Sequence, residues 1–130
     1  MLAMIYTHCT STCPLAVAEM KRIEVATDAR VGLVLVSLDP ARDSVASLAV
    51  YAGTHELDAA RWTLLTGASD DVRDLASTLG IRYGPSSPGE LAHSNTLTLL
   101  DGTGRVVHQQ QGLGDRDETI AAARQLLSSH

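Results

Sequence analysis

Two cysteines stand four residues apart in Tyr6-Thr7-His8-Cys9-Thr10-Ser11-Thr12-Cys13-Pro14, and they are the only cysteines among the 130 residues. Two thiols are too few for a disulfide scaffold, so their spacing points to metal or redox work. A plain disulfide staple across so small a ring would gain little stability. With three residues between them, the sulfurs can either close a disulfide or open around an ion. The next candidate is His93, which stands alone in Glu90-Leu91-Ala92-His93-Ser94-Asn95. Two thiolates and an imidazole together suit Cu(I), and also Zn. Asp39 is a third candidate, as a weak ligand or as a hydrogen-bond partner to a ligand. The alternative for Asp39 is a loop cap in Asp39-Pro40-Ala41-Arg42-Asp43, with Arg42 and Asp43 in a surface ion pair. His8 adjoins Cys9, but alternation along a strand turns it away from the sulfurs. His55 and His108 fall on surface segments and His130 is terminal, so all three read as incidental.

The elements that must position these groups follow from the apolar pattern. Leu2-Ala3-Met4-Ile5-Tyr6 predicts a buried strand, and Pro14 opens a helix. Proline suits the first helical position because its missing N–H would be unpaired there anyway. Cys13 is therefore expected at or beside the N-cap, where free backbone N–H groups and the helix dipole stabilise a thiolate. That helix runs to about Asp28, with Ala16, Met20 and Ile23 on its apolar face and Glu19, Lys21, Arg22 and Glu24 mostly elsewhere. Val31 to Leu38 reads as a parallel strand covered on both faces, and Asp39 ends it at the carboxyl edge, where parallel sheets hold their sites. Ser44 is the expected N-cap of a helix reaching about His55, with Val45, Leu48, Ala49 and Ala52 buried. Trp62-Thr63-Leu64-Leu65 is a short strand with Trp62 in the core. Ser69-Asp70-Asp71-Val72 begins a helix that Gly80 stops. Tyr83 to Ala92 reads as a surface loop. Asn95 to Leu100 and Arg105 to Gln109 flank Asp101-Gly102-Thr103-Gly104 as a hairpin. A last helix covers about Arg116 to Leu127, with Ile120, Ala123, Leu126 and Leu127 facing the core. The order βαβαβαββα implies an α/β fold with a mainly parallel central sheet, helices on both faces and a C-terminal β-hairpin. This is a thioredoxin-like pattern. In that fold the loop before the hairpin lies against the cysteine pair, so His93 could complete a three-ligand site.

Composition bounds the rest. The hydrophobic content of 45% supports a core that is largely aliphatic, because there is one Trp and no Phe. Net charge is −5 and the ten basic residues are scattered, which argues against a nucleic-acid partner. No apolar run approaches the roughly 20 residues of a membrane span, and no basic segment precedes the first strand as in a signal peptide. The chain is expected to be one domain of residues 1–130.

The sequence resembles the Sco/SenC family of copper-binding, thioredoxin-like proteins. The resemblance is carried by Tyr6-Thr7-His8-Cys9 to Cys13-Pro14, by Val36-Ser37-Leu38-Asp39-Pro40-Ala41-Arg42-Asp43, and by His93-Ser94 leading to Asp101-Gly102-Thr103-Gly104. Leu65-Thr66-Gly67 adds to it. The resemblance implies that Cys9, Cys13 and His93 are copper ligands, for Cu(I) or Cu(II), and that Asp39 is an acidic residue near the metal. It implies a metallochaperone that delivers copper to the binuclear copper site of cytochrome c oxidase, or prepares the thiols of that site. The implied partner is the copper-site subunit or another copper or thiol acceptor. The implied location is periplasmic, at the extracytoplasmic face of the membrane, or mitochondrial. The alternative is a thiol–disulfide oxidoreductase with Cys9 and Cys13 as its redox pair; a peroxidase is disfavoured because local Thr/Arg support for a peroxidatic cysteine is not apparent. Two departures stand out. The family carries an anchor, a hairpin and a Gly-Lys segment before the first central strand, whereas this chain begins inside that strand, so a truncated domain is expected. The connection at Thr27-Asp28-Ala29-Arg30 is also short.

Overall fold

The computed structural model describes residues 1–7, 13–87, 90–93, 96–111 and 115–128. In chain order the elements are β1 (Leu2–Ile5), α1 (Cys13–Ala26), β2 (Leu33–Ser37), α2 (Val45–Thr54), β3 (Trp62–Leu65) and α3 (Ser69–Thr78). Then come β4 (Tyr83–Ser87), β5 (Glu90–His93), β6 (Thr96–Leu100), β7 (Val106–Gln111) and α4 (Arg116–Ser128). Five strands form one sheet in the order β3-β2-β1-β6-β7. β1, β2 and β3 are mutually parallel, while β6 runs antiparallel to β1 and β7 antiparallel to β6.

Alternation along the strands divides the core into two layers. Ala3 and Ile5 of β1, Leu33 and Leu35 of β2, and Leu97 and Leu99 of β6 join Ala16, Val17, Met20 and Ile23 of α1 and Ala123 of α4. Leu2, Met4, Val36 and Leu38 join Val72, Ala76 and Leu79 of α3 on the other face. β1 is thus buried on both sides, as its unbroken apolar run requires. Trp62 lies in the first layer, as expected.

Several local expectations need correction. Tyr83 to Ala92 is not a plain loop: β4 and β5 pair antiparallel, Tyr83 opposite His93, as a separate two-stranded sheet. Its Gly-Pro-Ser-Ser-Pro-Gly composition masks the strands, since these residues are poor strand formers. In α2 the buried residues are Leu48 and Tyr51, whereas Ala49 is exposed and Val45 is 76% exposed. Apolar character at helical spacing had suggested otherwise, but the helix turns its Leu48–Tyr51 stripe inward. Ser44 does cap it, accepting the Ser47 N–H at 3.1 Å. α1 ends at Ala26 because Asp28 and Ala29 take positive φ, a tight left-handed exit that accounts for the short connection to β2. Gly80, at φ +70°, closes α3 in the conformation that glycine adopts without a Cβ penalty. Among the described residues no helix is long and apolar enough to cross a membrane.

Candidate metal centre

Strand register brings the described elements next to the candidate ligands to one edge of the sheet. Ile5 of β1 stands opposite Ser37 of β2, and Ala3 stands opposite Leu97 of β6. The carboxyl ends of β1 and β2 therefore meet the amino end of β6 at one edge of the sheet. α1 must run back along the sheet to feed the parallel strand β2, so its first residue, Cys13, sits at that edge. His93 ends β5, and Thr96 opens β6. Three Cα steps of about 3.8 Å keep the His93 backbone within about 11 Å of the start of β6. Cys9 and His8 lie outside the described residues, and Cys13 and His93 are placed here by backbone alone. Among the described residues no three His, Cys, Asp or Glu side chains converge as a metal site.

Asp39 follows β2 at the same edge. Its N–H donates to the Ser37 hydroxyl at 3.0 Å, and its carboxylate accepts from Arg42 Nε at 2.5 Å. The surface pair between Arg42 and Asp43, the alternative weighed for this turn, is not formed. Arg42 turns back to Asp39, and Asp43 is fully buried. Asp43 accepts the Thr7 N–H at 3.1 Å, the Ser37 hydroxyl at 2.8 Å and the Thr7 hydroxyl. A buried carboxylate needs several donors to offset its desolvation, and these supply them. Sequence reading missed this cluster. The available signal was a serine closing an apolar strand six residues before an acid, but the matching donor, Thr7, is remote in sequence.

The remaining histidines need one revision. His108 is half-buried, with Nε2 3.1 Å from the Thr119 hydroxyl, so it ties β7 to α4 instead of lying free on the surface. His55 caps α2, and its ring lies 4.2 Å from that of Tyr51. Glu19 also departs from expectation: it is buried on α1, hydrogen-bonded to Arg116 Nε and, at 3.3 Å, to Arg116 Nη2. Those hydrogen bonds hold the Arg116 guanidinium more firmly protonated than a free arginine.

With this geometry in view, the comparisons with known proteins are specific. The SCO1/SenC family model matches residues 1–128. A Stutzerimonas stutzeri protein named for copper binding is 30% identical over 103 residues, covering 73% of this chain. The chain spans about half the length of that relative, 49%. A SCO1/SenC family lipoprotein from Bacillus anthracis superposes with a TM-score of 0.85 at 22% identity, covering 97% of this chain and 79% of that one. Arabidopsis thaliana ScoI, solved with copper bound, gives a TM-score of 0.79 at 21% identity, covering 95% of this chain and 82% of that one. The fold is thioredoxin-like, as these structures are. A match that runs through both cysteines, Asp39 and His93 to the end of α4 means that this chain belongs to the SCO1/SenC family.

Proposed function

We propose that the protein carries one copper ion on the thiolates of Cys9 and Cys13 and the imidazole of His93, and passes it to an acceptor protein. The acceptor this reading favours is the copper-site subunit of cytochrome c oxidase, at the extracytoplasmic face of the membrane. The observation that carries it is the strand register, which brings the start of α1 and the approach to β6 to one sheet edge in a chain of this family. The donor chemistry fits: two soft thiolates with one imidazole suit Cu(I). The copper-binding name of the bacterial relative, the copper in the Arabidopsis structure and the lipoprotein character of the Bacillus relative support the cargo and the location. Three donors with an open side suit transfer, since an incoming thiolate can bind before a donor leaves. Asp39, held by Arg42, serves beside the ion as a hydrogen-bond partner rather than as a principal ligand.

The position of Cys13 at the start of α1 also favours a second reading, thiol–disulfide exchange, because a helix N-terminus stabilises a thiolate. One thiolate would attack an acceptor disulfide, forming a mixed disulfide and releasing one acceptor thiol. The other cysteine would then displace the second. Two electrons and two protons pass to the acceptor, and Cys9 and Cys13 end as a disulfide. Metal loading and disulfide formation thus compete for the same sulfurs.

Copper titration of the reduced protein, followed by sulfur-to-copper charge transfer, tests the first reading. One equivalent is expected to bind to the parent and none tightly to Cys13→Ser; tight binding by that variant would overturn it. His93→Ala separates the readings, because copper affinity should collapse while exchange with a disulfide persists.

A further inference from the structure

We infer that Asp43 is a positioning residue for the thiol site, fixing the strand end that leads to Cys9 against the turn that carries Asp39. The inference deepens the reading of Cys9, Cys13 and His93 given above and rests on it. Asp43 is 0% exposed, and both of its carboxylate oxygens are used at the edge where that site is assigned. Oδ2 takes the Thr7 N–H at 3.1 Å and the Ser37 hydroxyl at 2.8 Å, while Oδ1 takes the Thr7 hydroxyl. The Ser37 oxygen in turn accepts the Asp39 N–H at 3.0 Å, and the Asp43 N–H donates to the Asp39 carbonyl at 2.8 Å. The end of β1, the end of β2 and the 39–43 turn are therefore joined in one circuit of hydrogen bonds.

Thr7 precedes Cys9 by two residues, about 7 Å of chain at most. A fixed Thr7 backbone limits where the first sulfur can start from, and the same carboxylate sets the turn bearing Asp39. The chemistry favours an acid. An ionised carboxylate accepts from all three donors in charge-assisted bonds, whereas an isosteric amide must turn its NH₂ group to the Thr7 hydroxyl, reversing that bond, and loses the charge that strengthens the other two. A plain turn cap would not call for a sealed carboxylate, whose burial is costly unless its partners are well placed. Without the latch, bringing Cys9 to an ion or to Cys13 would carry the extra cost of fixing Thr7.

The test compares Asp43→Asn, Thr7→Val and Thr7→Ser in the full chain. Cu(I) affinity is read by competition with a chromophoric Cu(I) chelator, and the dithiol–disulfide equilibrium by titration with glutathione. Folded Asp43→Asn, with a cooperative melt and parental far-ultraviolet circular dichroism, should bind Cu(I) at least tenfold more weakly. Its disulfide should form at least tenfold less favourably, about 30 mV for a two-electron couple. Thr7→Val should weaken both quantities and Thr7→Ser, which keeps the hydroxyl donor, should leave both near parental values. A folded Asp43→Asn with parental affinity and equilibrium overturns the inference. If Asp43→Asn does not fold, the two Thr7 variants decide: loss in Val with retention in Ser supports the latch, and parental values in both overturn it. Should the parent itself bind no copper, the copper reading fails and the glutathione equilibrium alone decides the role of Asp43.

Discussion

Glu19 of α1 and Arg116 of α4 close a two-pronged ion pair across 97 positions of the chain, with Glu19 only 1% exposed. α1 is the helix that Cys13 opens, and this pair fastens it to α4. Arg116→Met would strand a carboxylate in the core, and removing one partner of a buried pair is strongly destabilising. The melting temperature should fall by roughly 5 °C or more. The double variant Glu19→Met/Arg116→Met should recover most of that loss, because an apolar pair needs no compensating charge. A single variant as stable as the parent in thermal melts would contradict this account.

Asp101 closes the β6–β7 turn by accepting the Thr103 hydroxyl at 2.6 Å, the Thr103 N–H at 2.9 Å and the Arg105 N–H at 3.0 Å. The Thr103 hydroxyl first, then the two backbone donors, hold the carboxyl below its ordinary value of 3.8. The sign follows from the charged form being the better acceptor. Its contribution is complete above the unfolded value and fades as pH falls through the lower folded one. An NMR titration should place the Asp101 midpoint below 3.8, with the Thr103 and Arg105 amide shifts moving in step. A midpoint at or above the ordinary value would show that the turn does not depend on the ionised carboxyl.

Ile5 is fully buried in the layer beneath α1 and α4. Ile5→Ala should cost about 2–5 kcal/mol, the transfer loss plus a cavity. Val50, 69% exposed on α2, is the matched control, and Val50→Ala should change stability by less than about 0.5 kcal/mol. Urea denaturation of the two variants checks the contrast; equal losses would mean that the layer assignment is wrong.

The elements legible in the sequence were those whose periodicity is reinforced by local chemistry. β3 runs from Trp62 to Leu65 as read, and α2 begins after its Ser44 cap. What escaped was non-local. Glu19 falls off the apolar face of α1 in the sequence pattern because its partner lies on α4, and a surface pair is an open alternative for Asp43 because Thr7 is 36 residues away. β4 and β5 were hidden for a different reason: their pairing is supplied by each other, not by the preferences of Gly84, Pro85 or Ser86. The proposed donors Cys9, Cys13 and His93 are named from the types and order of residues in the sequence. The burial of Asp43 could not be read there, since an aspartate after a proline turn is ordinarily a solvated one.

β1 is hydrogen-bonded along both flanks, to β2 on one side and β6 on the other. Sliding it by a single step would break two ladders and turn Leu2, Met4 and their neighbours to the wrong layer. The sheet therefore acts as a stationary floor. Any conformational change that leaves these two ladders intact must be taken up as torsion outside the sheet, so it remains a local event.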